Sequence, residues 1–205
     1  MEFLETIKWL DDRYYNLALH EARLARTCQK RFGRDPGFRL AEVLPKNPGP
    51  GLIKARLVYS RDDFAISCAP YSWPVINNAR LVSSDLYYGE KFLDRSAIND
   101  LKAKSLADEI IIVQDGQLTD SSIANLALQD RAGNWFTPEK CLLPGVKRAA
   151  LLATGRLRAR LIRPEDLVNY ESLSFINAMI DLEDEIRLPV NQILGQENFS
   201  ASPNF

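Results

Sequence analysis

The stretch Glu109-Ile110-Ile111-Ile112-Val113 restricts the fold more than any other in this chain. A short run of β-branched side chains is stiff at χ1 and packs well on a pleated surface, so it reads as a buried strand. Asp115-Gly116 follows at once and forms a tight turn. A second strand begins at Leu118 and runs to Leu128, with Ser121, Ser122 and Ala124 placing small side chains at its middle. Ala132-Gly133-Asn134 turns the chain again before Trp135-Phe136-Thr137-Pro138. Helical segments surround these strands. Ser96 to Lys104 suits a short helix, Gly145 precedes another over Arg148 to Thr154, and Pro164-Glu165-Asp166-Leu167 opens a further helical turn. Leu173 to Met179 reads as a short apolar strand.

The N-terminal half carries different patterns. Phe3 to Trp9 alternates and is rich in strand formers, Asp11-Asp12 signals a turn, and Tyr14 to Leu17 is the expected return strand. A helix over His20 to Phe32 ends at Gly33, and Pro45 to Gly51 is a loop. Leu52 to Tyr59 and Asp63 to Pro70 form a second strand pair, whereas Pro74 to Ser84 reads as a linker with little period. The pattern is mixed α and β. It is expected to divide into a smaller N-terminal domain, 1–84, and a larger strand-rich domain, 85–205, with a loose tail from about 197.

Composition excludes several classes of function. A net charge of −1 leaves no footprint for nucleic acid or for a polybasic membrane surface. The N-terminus is acidic and has no signal-peptide core, and no apolar run approaches membrane length, so the expectation is a cytoplasmic protein. Cys28, Cys68 and Cys141 are odd in number and far apart, without the spacing of a disulfide framework or a metal site. With His20 as the single histidine, a Ser-His-Asp or Cys-His mechanism is improbable.

Taken alone, Lys91 in Tyr87-Tyr88-Gly89-Glu90-Lys91-Phe92-Leu93-Asp94-Arg95-Ser96 is a solvated lysine between turn-forming and apolar residues. The rest of the chain changes that reading. Phe3-Leu4-Glu5-Thr6-Ile7 is followed by His20-Glu21-Ala22-Arg23-Leu24, then by Lys91-Phe92-Leu93-Asp94-Arg95 and by Leu118-Thr119-Asp120-Ser121-Ser122-Ile123-Ala124-Asn125-Leu126. Phe136-Thr137-Pro138, Leu142 to Arg148 and Ile176-Asn177-Ala178 come after. In order and spacing these segments resemble the class IV pyridoxal-phosphate enzymes, the family of branched-chain and D-amino-acid aminotransferases and aminodeoxychorismate lyases. The resemblance implies an α+β, two-domain fold of the D-amino-acid aminotransferase type in a short version, pyridoxal 5'-phosphate as cofactor, and a homodimer.

It also implies roles for named residues. Lys91 matches the lysine that carries the cofactor as a Schiff base and then moves the substrate proton, work that needs a lowered amine pKa. Asp120 stands where the family places a glutamate beside the pyridine nitrogen, with an arm one methylene shorter. Arg23 matches the phosphate arginine, although an arginine on a helix is otherwise a solvated one. Ser122, Ile123 and Ala124 match a turn where small residues let the backbone approach the phosphate; without the resemblance they are plain strand packing. Val146, behind Gly145, offers a backbone amide, and Lys147 replaces a family threonine and could supply charge. His20 is expected to be structural. Tyr14, Tyr87 and Tyr88 could line the site, and Asp94 and Arg95 could reach the substrate or pin the loop.

Two activities follow from the resemblance. One is a 4-amino-4-deoxychorismate lyase forming 4-aminobenzoate and pyruvate for folate synthesis, toward which the K-x-L-D-R spacing leans. The other is an aminotransferase acting on branched-chain or D-amino acids and 2-oxo acids. A third reading, from another class, is an inactive fold relative serving as a binding module. The departures at Asp120 and Lys147 favour it, and the joint presence of Lys91, Asp120 and Arg23 opposes it.

Overall fold

A computed structural model describes residues 1–199. They form two compact units, one of Met1–Trp73 with Tyr88–Asp94, the other of Pro74–Tyr87 with the chain from Arg95 onward. This division differs from the expected border at 84/85. Lys91 belongs to the N-terminal unit, because its segment is annexed by a strand near the start of the chain: the Leu4 amide donates to the Lys91 carbonyl at 2.9 Å and the Leu93 amide to the Glu2 carbonyl at 3.0 Å.

In the first unit, strand β1 (Phe3–Leu10) pairs antiparallel with β2 (Arg13–Tyr14) and with β3 (Ile53–Tyr59), and β4 (Phe64–Pro70) completes the order β2-β1-β3-β4. Alternation decides the faces. Phe3, Ile7, Ala55, Leu57 and Tyr59 bury one side of the sheet against Leu24 and Cys28 of helix α1 (Leu17–Phe32) and Leu40 of the short α2 (Leu40–Val43). The expected return strand is cut to two residues. Asn16 in the left-handed region starts α1 at Leu17, three residues before the expected His20. Gly33, also left-handed, closes the helix with its amide on the Gln29 carbonyl.

The second unit is a nine-stranded sheet. Its strands are β5 (Ala79–Ser83), β6 (Glu109–Gln114), β7 (Gln117–Ser121), β8 (Asn125–Asp130), β9 (Trp135–Pro138), β10 (Arg158–Arg160), β11 (Tyr170–Ile176), β12 (Arg187–Pro189) and β13 (Ile193–Leu194). The main path runs β10-β9-β8-β7-β6-β5-β13, and β11 pairs with β8 and β12. Helix α3 (Ser96–Ser105) precedes β6, and α4 (Val146–Ala153) follows β9. Ile110 to Ile112 are fully buried, as their β-branched run requires. The segment expected as a linker contains β5, whose Ala79 and Leu81 are buried between parallel neighbours β6 and β13; five residues are too few to show a period. The single strand expected over Leu118 to Leu128 is two, because the Ser121 hydroxyl accepts from the Ile123 and Ala124 amides and folds the chain into a turn. Of the expected loose tail, Gln196–Asn198 forms a 3-10 turn and residues 200–205 lie outside the described residues. Among the described residues no helix is long and apolar enough to cross a membrane.

Candidate active site

Glu5, in the buried phase of β1, brings together candidate residues of the first unit. Its side chain is fully buried. Arg23 donates from Nε to Oε1 at 2.8 Å and from Nη2 to Oε2 at 2.6 Å, a two-pronged pair, and His20 Nδ1 lies 2.6 Å from Oε2. His20 and Arg23 are three residues apart on α1 and so share the face turned to β1. Burial alone would raise the Glu5 carboxyl, but the Arg23 charge and the His20 and Arg23 hydrogen bonds outweigh it and hold the pKa down at about 2. Burial also lowers the His20 pKa, which the Glu5 bond only partly offsets, and the nearby Lys91 charge lowers it further. Since the ionised carboxylate only accepts, a neutral His20 donates from Nδ1 and leaves Nε2 bare. Arg23 keeps its Nη1 amine clear of Glu5, and the phenols of Tyr59 and Tyr88 stand near enough to act on its charge.

Lys91 is half-buried in the strand-like segment beside β1. Phe92 stacks at 5.2 Å on Phe3, and its carbonyl accepts from the Tyr88 hydroxyl at 3.3 Å. The buried Glu90 accepts from Lys30 at 2.6 Å and Arg31 at 2.5 Å, which ties the residue before Lys91 to the end of α1. Tyr14 is engaged elsewhere, its hydroxyl donating to the Pro45 carbonyl at 2.7 Å, and Tyr87 is largely exposed.

In the second unit Asp120, on β7, is 4% exposed. Its Oδ1 accepts from Asn125 Nδ2 at 2.7 Å and its Oδ2 from the Leu143 amide at 2.8 Å. Burial pushes its pKa up to about 6, and these donors limit the rise. Among the described residues no lysine or arginine forms an ion pair with it. Arg95 donates to the Ser122 carbonyl, so it pins the turn after β7. The amides of Ser122, Ile123 and Ala124 are all engaged within the chain, the first by Glu109 Oε1 at 3.0 Å and the others by Ser121 Oγ. They differ in this from the expected phosphate-facing turn. Helix α4 starts at Val146 with Gly145 as its N-cap and no side-chain cap, and both Val146 and Lys147 are buried. The Lys147 ammonium donates a hydrogen bond to Asp181 Oδ2 in an ion pair; burial would raise that carboxyl, and Lys147 holds it down.

These features fit pyridoxal phosphate. A buried carboxylate without a cation is costly until a positive group meets it, and a protonated pyridine nitrogen is such a group. A buried helix start without a cap leaves amides that an anion satisfies. The correction is Lys147, whose ammonium serves Asp181 and leaves only its backbone amide. Glu5 and Asn125, which hydrogen-bond to the candidate residues Arg23 and Asp120, are the members of the candidate site that reading the sequence missed. A glutamate in the apolar phase of β1, opposite a histidine and an arginine three apart, was the available signal for the first.

The amino-transferase class IV family model matches residues 2–182. An uncharacterised protein from Haemophilus influenzae is 33% identical over 181 residues, covering 85% of this chain and 96% of the relative. A solved structure from Haemophilus somnus, provisionally assigned as a 4-amino-4-deoxychorismate lyase, is 34% identical, with a TM-score of 0.80 over 88% of this chain and 97% of that one. Another from Mesorhizobium loti, provisionally assigned as an amino-acid aminotransferase, is 26% identical, with a TM-score of 0.78 over 94% and 99%. The fold and the ordered motifs agree with these matches: the chain belongs to the amino-transferase class IV family and is a pyridoxal-phosphate-dependent aminotransferase or lyase.

Proposed function

We propose that this protein is a 4-amino-4-deoxychorismate lyase, releasing pyruvate and 4-aminobenzoate. The observation that carries the reading is the similarity to the Haemophilus somnus protein, which spans 97% of that chain; in this chain Lys91 stands in the K-F-L-D-R segment. Bound pyridoxal phosphate supplies the electron sink for the carbanion formed at the substrate carbon. The chain's own residues do the rest. Lys91 holds the cofactor through its amine and moves the proton at the substrate carbon bearing nitrogen. Its backbone, tied to Glu2 and Leu4, limits how far that amine can wander.

Arg23 binds the phosphate through the edge that Glu5 leaves clear, and Glu5 fixes the plane of the guanidinium. In the second unit Asp120 keeps the pyridine nitrogen protonated, and Val146 and Lys147 contribute N–H groups toward an anion. Ser122, Ile123 and Ala124 serve as small residues shaping the β7–β8 turn. The aminotransferase reading stays as the second, favoured by the match to the Mesorhizobium loti protein. A homodimer in the cytoplasm accompanies either reading.

The test is the visible spectrum of purified protein after adding pyridoxal phosphate, wild type against Lys91→Ala. Wild type is expected to gain a band that borohydride bleaches, and the variant to gain none. Incubation with aminodeoxychorismate should then yield 4-aminobenzoate and pyruvate. Amino-group transfer to a 2-oxo acid without pyruvate release would favour the second reading, and a wild type that never gains the band would reject both.

A further inference from the structure

Asn125 opens β8 and is the cross-strand partner of Asp120 on β7. Both hydrogens of its side-chain amide are used, one on Asp120 Oδ1 at 2.7 Å and the other on the Leu143 carbonyl at 2.9 Å. A flipped amide would set its oxygen against two acceptors, so its orientation is determined. The same Leu143 donates its own amide to Asp120 Oδ2 at 2.8 Å. Carboxylate, amide and peptide thus close a ring in which each oxygen of Asp120 has a donor.

The amide oxygen of Asn125 explains a glycine. A Cβ at Gly145 would lie 1.9 Å from Asn125 Oδ1. The backbone there, φ −70° and ψ 141°, is open to any residue, so Gly145 is needed for space and not for its conformation. Besides this ring, the Leu142 backbone amide also favours the charged carboxylate, and the groups that act on it from further away are Cys141 and the Arg148 charge.

From this geometry we infer that Asn125 is the positioning residue of the cofactor site. It fixes the plane of the Asp120 carboxylate and keeps it ionised for the pyridine nitrogen, with Gly145 as the space that lets it do so. The inference rests on the proposed function for the identity of the cation and on the hydrogen-bond ring for the rest. An apolar residue at 125 would fill the turn equally well but would remove the donor that favours the charged form of Asp120.

The experiment reads Asp120 directly, without cofactor. In protein carrying 13C-labelled aspartate, the Asp120 carboxyl is followed by NMR against pH, for wild type, Asn125→Ala, Gly145→Ala and the double variant. Asn125→Ala should raise the midpoint by about one pH unit, tenfold in proton affinity. Gly145→Ala should raise it in the same sense in the wild-type background, by displacing the amide, and add nothing when Asn125 is already alanine. Pyridoxal phosphate affinity, followed by fluorescence quenching, should fall about tenfold in both single variants.

A midpoint and an affinity unmoved by Asn125→Ala would overturn the inference. So would a Gly145→Ala shift of equal size in both backgrounds, which would show that the glycine acts independently of Asn125. Should the titrations behave as expected while wild type never binds pyridoxal phosphate, the proposed function fails and the hydrogen-bond ring stands.

Discussion

A single carboxylate shows how much of the site lies beyond motif reading. Glu5 occupies the phase of β1 shared by Phe3 and Ile7, so strand alternation assigns it to the core. Core placement of an acid requires partners, and those it finds among the described residues are on another element, the His20–Arg23 face of α1. Arg23 could be singled out from its motif; its partner Glu5 could not, because pairing between elements leaves no local trace. Lys147 teaches the opposite lesson. Its departure from threonine was visible, and its ammonium could have supplied charge in place of the hydroxyl, whereas Asp181, thirty-four residues on, takes it. Replacing Glu5 with glutamine strands the Arg23 charge in a buried site. The variant is expected to lose about 3–5 kcal/mol of stability by urea unfolding and to bind inorganic phosphate more weakly. Unchanged stability would mean that Arg23 finds another acceptor.

At the level of elements, strands with strong alternation or a β-branched run were readable, as β3, β4 and β6 show. What escaped was short or conditional on a neighbour. β5, β12 and β13 have two to five residues each and exist because a neighbouring strand offers its edge, β6 to β5, β11 to β12 and β5 to β13. The Lys91 segment is another instance. Nothing in Glu90-Lys91-Phe92-Leu93 announces a strand, yet β1 holds it by backbone bonds, and Glu90 ties it to Lys30 and Arg31 of α1. Glu90→Gln keeps the volume and removes the charge. It is expected to cost about 1–3 kcal/mol, and hydrogen exchange should show the Leu4 and Leu93 amides losing protection before the rest of β1. If those two amides exchange as in wild type, Glu90 does not pin the lysine.

Across the whole molecule, two buried carboxylates set opposing pH slopes. Glu5 has a folded pKa of about 2 against an ordinary 4.5, so its contribution is complete above the ordinary value and is lost as pH falls through about 2. Asp120 is raised to about 6 from 3.8, so the folded chain binds the extra proton and stability falls as pH rises from about 4 through about 6. Roughly two pH units correspond to about 3 kcal/mol. His20, whose depressed pKa works in the opposite sense below its ordinary 6.5, is common to both proteins, so urea unfolding of the cofactor-free protein between pH 4.5 and 7 should show wild type losing stability relative to Asp120→Asn as pH rises. Equal slopes would mean that Asp120 titrates normally. Fold class and family were legible because they rest on order along the chain. The division into units was not, since sequence proximity says nothing about which sheet claims a segment.

That division carries a consequence for anyone who handles the gene. Because residues 88–94 are claimed by the first unit while 74–87 belong to the second, no single cut separates the two. A fragment ending at Ser84 would lack the strip that covers the margin of β1, leaving the Leu4 amide and the Glu2 carbonyl as a bare template for self-association. A peptide spanning the missing strip, added in trans, is the natural plug for that margin, and it would bring Lys91 with it.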